Sequence, residues 1–328
     1  MDGSANVRSE QVAQADRSNV ARKYLIWTSI YLLLVCGVQF WLGHRVGPDT
    51  VILFLLFAAI VTGSARTFLR DWIPFVALFF GWIFLRGYAD QTARGAGFKV
   101  HGADVIAAER WLFGGKVPTV ELQQLFFTPR HLHWYDYVAS TFYGFHFVLP
   151  LLFAYLLWIR DRGLYWRFVL SLSVLTYAGF VTYVLFPTLP PWLAAKQHLV
   201  IENGEPVRIA MVRTSVLRSF GGLGGLTSVV IERANPNPIA AMPSLHAAFP
   251  TMVFLFSLVH WRRLAPFALV YCFGLWLSIV YLGEHWVVDA LAGIAYAVVA
   301  YCLVEGIRAV RARQRVQRTK QVPAPERA

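Results

Sequence analysis

Two short stretches hold residues that could act together chemically. One reads Asn237-Pro238-Ile239-Ala240-Ala241-Met242-Pro243-Ser244-Leu245-His246-Ala247-Ala248, the other Gly283-Glu284-His285-Trp286-Val287-Val288-Asp289. His285 and Asp289 are four apart, so a helix sets them on one face with Cβ atoms about 5–6 Å apart. A carboxylate there accepts the imidazole N–H, fixes its tautomer and raises its basicity, which turns a histidine into a nucleophile. Pro243 suits the first turn of a helix, where its missing N–H costs nothing. Ser244 and His246 then fall where unpaired backbone N–H groups and the positive dipole end form an anion site. A zinc site made from His246, His285 and Asp289 is the rival reading, but neither HExxH nor a cysteine ligand accompanies them.

The elements that must position these residues lie in a membrane. Of the 328 residues, 57% are hydrophobic and 15% charged, against about 45–50% and about 25% in a soluble domain. With a mean hydropathy of +0.51, the composition excludes a disordered chain and argues against a soluble enzyme. A span needs about 20 mostly apolar residues. Eight stretches qualify, at 24–42, 50–68, 70–86, 136–158, 165–186, 243–260, 264–282 and 286–305. The expected fold is an all-α polytopic membrane protein. Gly63, Ser64, Arg66, Arg70 and Asp71 are read as a tight cytoplasmic turn between the second and third spans. The apolar pieces near Trp111 and at Leu122–Phe127 are too short to span and read as interfacial helices or loops. Trp41, Trp158, Trp192 and Trp286, at span ends, read as interface belts.

The net charge is +12. Eighteen of the 30 Lys and Arg residues fall in the N-terminal tail, in three short turns (64–71, 159–167, 261–263) and in the C-terminal tail. That is the pattern of cytoplasmic segments; the two long loops, 87–135 and 187–242, translocate despite their charge. Both termini are therefore expected in the cytoplasm. The densest basic stretch, Arg308 to Lys320, reads as an anchor on anionic headgroups rather than a nucleic-acid site. The polar leader and the lack of a small-x-small cleavage site make the first apolar run a retained span. Cys36, Cys272 and Cys302 lack CxxC spacing and imply neither a disulfide framework nor a metal site. The Gly221–Gly225 run lacks the Lys-Ser/Thr of a phosphate loop and reads as a flexible loop. On this topology both motifs open on one extracytoplasmic side, and ionisable residues at membrane depth are usually functional. A proton-coupled transporter using His246, His285 and Asp289 as a relay would want mid-span charges and internal pseudo-symmetry, and neither is visible. A non-catalytic lipid-binding protein is the other alternative.

At these residues the sequence resembles the type 2 phosphatidic acid phosphatase superfamily. That family carries a Lys/Arg-Pro element, a Pro-Ser-Gly-His element, and an Arg followed six residues later by His-x-x-x-Asp. The resemblance implies a metal-independent lipid phosphohydrolase or phosphotransferase with no cofactor. His285 would attack phosphorus, Asp289 would support it and His246 would protonate the leaving group. It also implies a six-helix catalytic bundle, the third to the eighth span; with the charge-derived topology the expected site is at the outer leaflet of the plasma (inner) membrane. The departures are specific: Leu245 replaces the family Gly, Ile279 stands in place of the third-motif Arg, and the first motif's place reads Phe186-Pro187-Thr188-Leu189-Pro190-Pro191-Trp192. That last stretch is similar to the branch containing inositol phosphorylceramide synthases. Arg70-Asp71 with Pro74, Leu85-Arg86-Gly87, Glu109-Arg110-Trp111-Leu112-Phe113 and Tyr143-x-x-His146-Phe147 resemble its bacterial members. The partners implied are a lipid phosphate or phospholipid and a polyol acceptor such as inositol, with no nucleic acid.

A phosphate dianion needs cations, and two of the family's are absent. Arg86 at the outer end of the third span is the first substitute, followed by Lys116 and Arg213 in the outer loops. Ser244 joins them as a substrate-binding candidate. His146 has two readings, a pocket residue or a satisfied core histidine. The expected layout is a tail over 1–23, N-terminal helices over 24–64, the phosphatase-like membrane domain over 65–305, and a basic cytoplasmic tail over 306–328. Single cysteines placed in 187–242 should therefore react with an impermeant thiol reagent in whole cells, while ones in the C-terminal tail should not; labelling of the tail alone would reverse the topology.

Overall fold

The structure, a computed structural model, describes Ile30 and residues 48–220 and 238–321. Apart from Ile30, the first expected span, with Cys36 and Trp41, lies outside the described residues, as do Asn237 and the Gly221–Gly225 run. Among the described residues the regular structure is helical apart from one two-stranded hairpin and two isolated bridges. In order run α1 (Pro48–Val61), α2 (Ala65–Gly87), α3 (Ala89–Gly95), α4 (Ala103–Leu112), α5 (Pro118–Phe126), α6 (Trp134–Gly144), α7 (Val148–Arg160), α8 (Arg162–Leu185) and α9 (Pro191–Lys196). The hairpin β1 (Ile201–Glu202) and β2 (Glu205–Pro206) follows, then α10 (Val212–Ser219), α11 (Leu245–His260), α12 (Ala265–Tyr281) and α13 (Val287–Gln321).

Among the described residues α2, α8 and α13 are each long and apolar enough to cross a membrane. The pair α6–α7 qualifies as a fourth, bent by 47°, and α1, α11 and α12 are shorter apolar helices. The chain is thus an all-α polytopic membrane protein. Several expected boundaries move. The turn between the second and third spans is only Thr62-Gly63-Ser64, and Arg66, Arg70 and Asp71 already lie on α2. Asp71 is buried because it accepts from the Trp158 indole at 3.0 Å and from Arg70 at 2.9 Å. Trp158 is therefore a core residue, not a belt residue, and a buried indole N–H needs such an acceptor. Trp286 is likewise fully buried, donating to the Leu189 carbonyl at 2.7 Å. The last helix does not stop near residue 305. It continues to Gln321, because the basic tail is rich in Ala, Arg and Gln, all good helix formers.

Lipid tails are as apolar as leucine, so helices in a bilayer associate through close packing and polar contacts. The tightest crossing here joins α11 and α13. Ala290, Gly293, Ala297 and Ala300 put a stripe of small residues on the inner face of α13, and the three alanines are buried. A Cβ built on Gly293 would sit 2.1 Å from the Ser244 carbonyl oxygen. Asp289, one turn earlier, accepts the Ser244 N–H on its backbone oxygen at 2.9 Å. Gly293→Ala should therefore cost about 1–3 kcal/mol, the usual range for overpacking, and lower the melting temperature in detergent. Gly306→Ala, further along α13, should be tolerated, because its Cβ meets nothing within 4 Å. Equal melting temperatures for the two variants would show that this contact is not tight.

Candidate active site

The first motif begins α11 differently from the sequence expectation. Pro243 lies ahead of the helix rather than in its first turn, and Ser244 is the N-cap, its hydroxyl accepting from Ala247 N at 3.3 Å. The buried Ser244 hydroxyl thus serves the helix start itself, two residues before His246. The second motif also differs. His285 lies in the turn before α13, not on the helix. It still meets Asp289, because Asp289 folds back over the helix start: Oδ2 accepts from Trp286 N at 3.0 Å and lies 3.4 Å from His285 Nδ1.

The two motifs meet directly. His246 Nδ1 is 2.9 Å from His285 Nε2. With the Nδ1 proton of His285 facing Asp289, its Nε2 carries a lone pair and His246 supplies the proton between the rings; this tautomer is assigned from the network. Asp289 and His285 are both buried. The Oδ1 of Asp289 has no hydrogen-bond partner among the described residues. Tyr143 and His146 complete the cluster, with ring centroids 4.5 Å and 4.1 Å from His246. His146 lies at the break between α6 and α7, which the sequence reads as one unbroken span. Its Nδ1 faces the Tyr143 carbonyl at 2.5 Å, while its buried Nε2 has no partner among the described residues.

The candidate cations separate. Arg213, on α10, ion-pairs through Nε with Glu284 at 3.0 Å and lies 4.5 Å over the Tyr143 ring. Arg86 stands in the last turn of α2, over Trp82. The charges of both arginines act on His146 and His246. Lys116 is instead exposed and paired with Glu121 at 2.8 Å, and no contact joins it to the histidines among the described residues.

Loops hold this arrangement, and here the sequence reading missed residues. The stretch after α8 makes a short parallel ladder. Thr188 N donates to Ile239 O at 2.6 Å and Ala241 N to Thr188 O at 3.2 Å, while Leu189 N and His101 N are paired with His101 O and Pro187 O. Trp192 N then donates to Gly283 O at 3.2 Å. One segment therefore holds the approaches to both motifs. Gly283 has φ +76°, and a Cβ there would lie 2.7 Å from the Ala210 carbonyl, so glycine is required twice over. Gln123 on α5 donates to Ala210 O and Tyr281 O at 2.9 and 2.8 Å and accepts from Ala210 N at 2.8 Å. Glu109 on α4 accepts from Val288 N at 2.7 Å. A polar residue on the apolar face of a short helix is the signal that marks Gln123; Glu109 stands in the Glu109–Phe113 stretch that carries the resemblance, which gives it no role.

Two curated relatives resemble the chain. It is 29% identical over 187 residues to the phosphoinositol dihydroceramide synthase of Bacteroides thetaiotaomicron, covering 55% of this chain and 59% of that one. It is 28% identical over 175 residues to the inositol phosphorylceramide synthase catalytic subunit of Saccharomyces cerevisiae, covering 51% of this chain and 42% of that one. The chain thus spans about half the length of the curated relatives it matches. No solved structure matches it. The model of the PAP2 superfamily matches residues 103–303, a segment that holds the histidine cluster, Asp289 and Arg213, and the chain belongs to that superfamily.

Proposed function

We propose that the protein is a lipid phosphotransferase that moves a phospho-headgroup between lipid alcohols through a phosphohistidine at His285. The observation that carries this is the His246–His285–Asp289 chain inside the family-matched segment. The His285 Nε2 lone pair attacks phosphorus as the His246 contact opens. The bond to the leaving alkoxide breaks, and that oxygen takes its proton from His246, which enters the step as the imidazolium and leaves it as the neutral ring. Asp289 stabilises the positive charge that develops on the His285 ring. In the second half, an acceptor hydroxyl attacks phosphorus, gives its proton back to His246 and releases His285. Arg213 and Arg86 flank the phosphate; a guanidinium has five N–H donors, so pairing with Glu284 through Nε leaves others for an anion. No divalent ion enters these steps.

The relatives' names point to phosphoinositol as the transferred group and to a ceramide-type alcohol as acceptor, with inositol itself or water as the other acceptors. A narrow apolar crevice lined by Phe75, Phe79, Phe147, Leu151, Leu172 and Phe249 lies beside the cluster, the Phe147 ring adjoining His146 at 3.9 Å. The charge pattern supports a reaction on the extracytoplasmic face with both termini inside; in this reading the membrane is the plasma membrane and residues 65–305 are the catalytic unit.

The roles of the two histidines are separable by leaving group. His246→Ala removes the acid, which matters for an alkoxide but little for p-nitrophenolate, which leaves unprotonated. Turnover of phosphatidylinositol in mixed micelles should fall about 10²–10⁴-fold, while p-nitrophenyl phosphate hydrolysis should persist. His285→Ala should abolish both, and Asp289→Asn should fall between. Loss of p-nitrophenyl phosphate hydrolysis in His246→Ala together with its survival in His285→Ala would reverse the assignment.

A further inference from the structure

The reaction above assigns nothing to Glu109, although its side chain is fully buried. The inward face of α4, with Val105 and Ile106, packs in an apolar layer with Leu189 and Trp286. In that layer Oε1 of Glu109 caps the start of α13 through Val288 N, the residue before Asp289. Its Oε2 is buried with no hydrogen-bond partner among the described residues, as is Oδ1 of Asp289. Two buried carboxyls therefore meet one helix start, each with one oxygen lacking a partner among the described residues. Like charges so placed resist joint ionisation. The other charged groups near Glu109 are engaged: Arg110 donates to the Ile201 carbonyl, and Asp104 is held by His101. Asp289 is the charged side chain whose field acts on Glu109. Burial first, and that field second, hold the Glu109 carboxyl up at about 7.

We infer that Glu109 is a positioning residue of the His285–Asp289 pair: a second buried carboxyl that caps the helix carrying Asp289 and, on losing its proton, adds negative charge beside the pair. Protonated, Glu109 only caps the helix. Ionised, it also stabilises positive charge on the His285 ring, so the gain is present above about pH 7 and lost below it. The claim rests on the proposed role of His285, and its test separates the two.

Glu109→Gln keeps an acceptor for Val288 N and cannot ionise, so it mimics the protonated form at every pH. The wild-type to Glu109→Gln ratio of turnover on phosphatidylinositol should rise from about one at about pH 5.5 to roughly tenfold at about pH 8, the effect of one unit of basicity. A role confined to packing would lower the rate by the same factor at every pH, and a flat ratio overturns the inference. Infrared pH titration of the purified wild-type protein needs no turnover, and its first readout needs no variant. A carboxylic C=O band should vanish as pH rises through about 7 and should be missing from Glu109→Gln; no such band in the wild type, or one that persists in the variant, also overturns it. If His285→Ala stays active while this band behaves as expected, it is the phosphohistidine reading that fails.

Discussion

The backbone N–H of Ser244 meets the carbonyl of Asp289 at 2.9 Å, and only a glycine at position 293 lets the helices come that close. That crossing fixes where two helix starts lie relative to each other. His246 leaves one of them two residues after Ser244. His285 precedes the other, tied to it by Asp289. The 2.9 Å contact between the imidazoles follows from the backbone packing rather than from the rings' own attraction. In a bilayer this is the expected source of precision, because burying apolar surface drives little association there and close contact of small residues drives much of it. A misplacement of about 1 Å in such a pair can cost about 10²-fold in rate.

The surroundings give the pair its chemistry. Asp289 is fully buried, and Oδ2 is held by the Trp286 N–H, so its charge is fixed in place toward His285 Nδ1. Low dielectric strengthens that interaction, and the fixed dipoles and charges need no reorganisation as charge develops. The candidate cations come from outside the two motifs, Arg86 from the end of α2 and Arg213 from α10, where Glu284 pairs with it beside Tyr143. The loop elements α4, α5 and the Thr188–Trp192 segment then act as a clamp over the helix starts. Their polar side chains satisfy backbone groups that helix ends leave open.

Much of this was legible in the sequence because it is written in local pattern. Apolar run length marked the membrane-crossing elements, and the spacing of His285 and Asp289 marked their pairing. What local pattern hid has physical causes. The break at Phe145–Phe147 sits inside an unbroken apolar run, so hydropathy could not show the bend that brings His146 inward. His285 and Asp289 pair through a fold-back over the helix start, whereas spacing alone suggested one helical face. Asp71 looked like a turn residue by charge, yet Trp158, 87 positions away, supplies its buried partner. Arg213 stood among several loop cations; only the meeting of α10 with α6 and the Glu284 turn separates it from Lys116. Long-range partners decide the last two, and spacing along the chain carries no record of them.

The central claim is that His285 takes the phosphoryl group. The direct measurement is to mix the purified protein with phospholipid labelled in its phosphate, quench in alkali within a turnover, and locate the phosphate by mass spectrometry. The account predicts an acid-labile phospho-headgroup, its phosphorus bonded to the ring nitrogen, on the peptide carrying His285, chased off when an alcohol acceptor is added. Phosphate on His246 or Ser244, or steady turnover with none on His285, would contradict it.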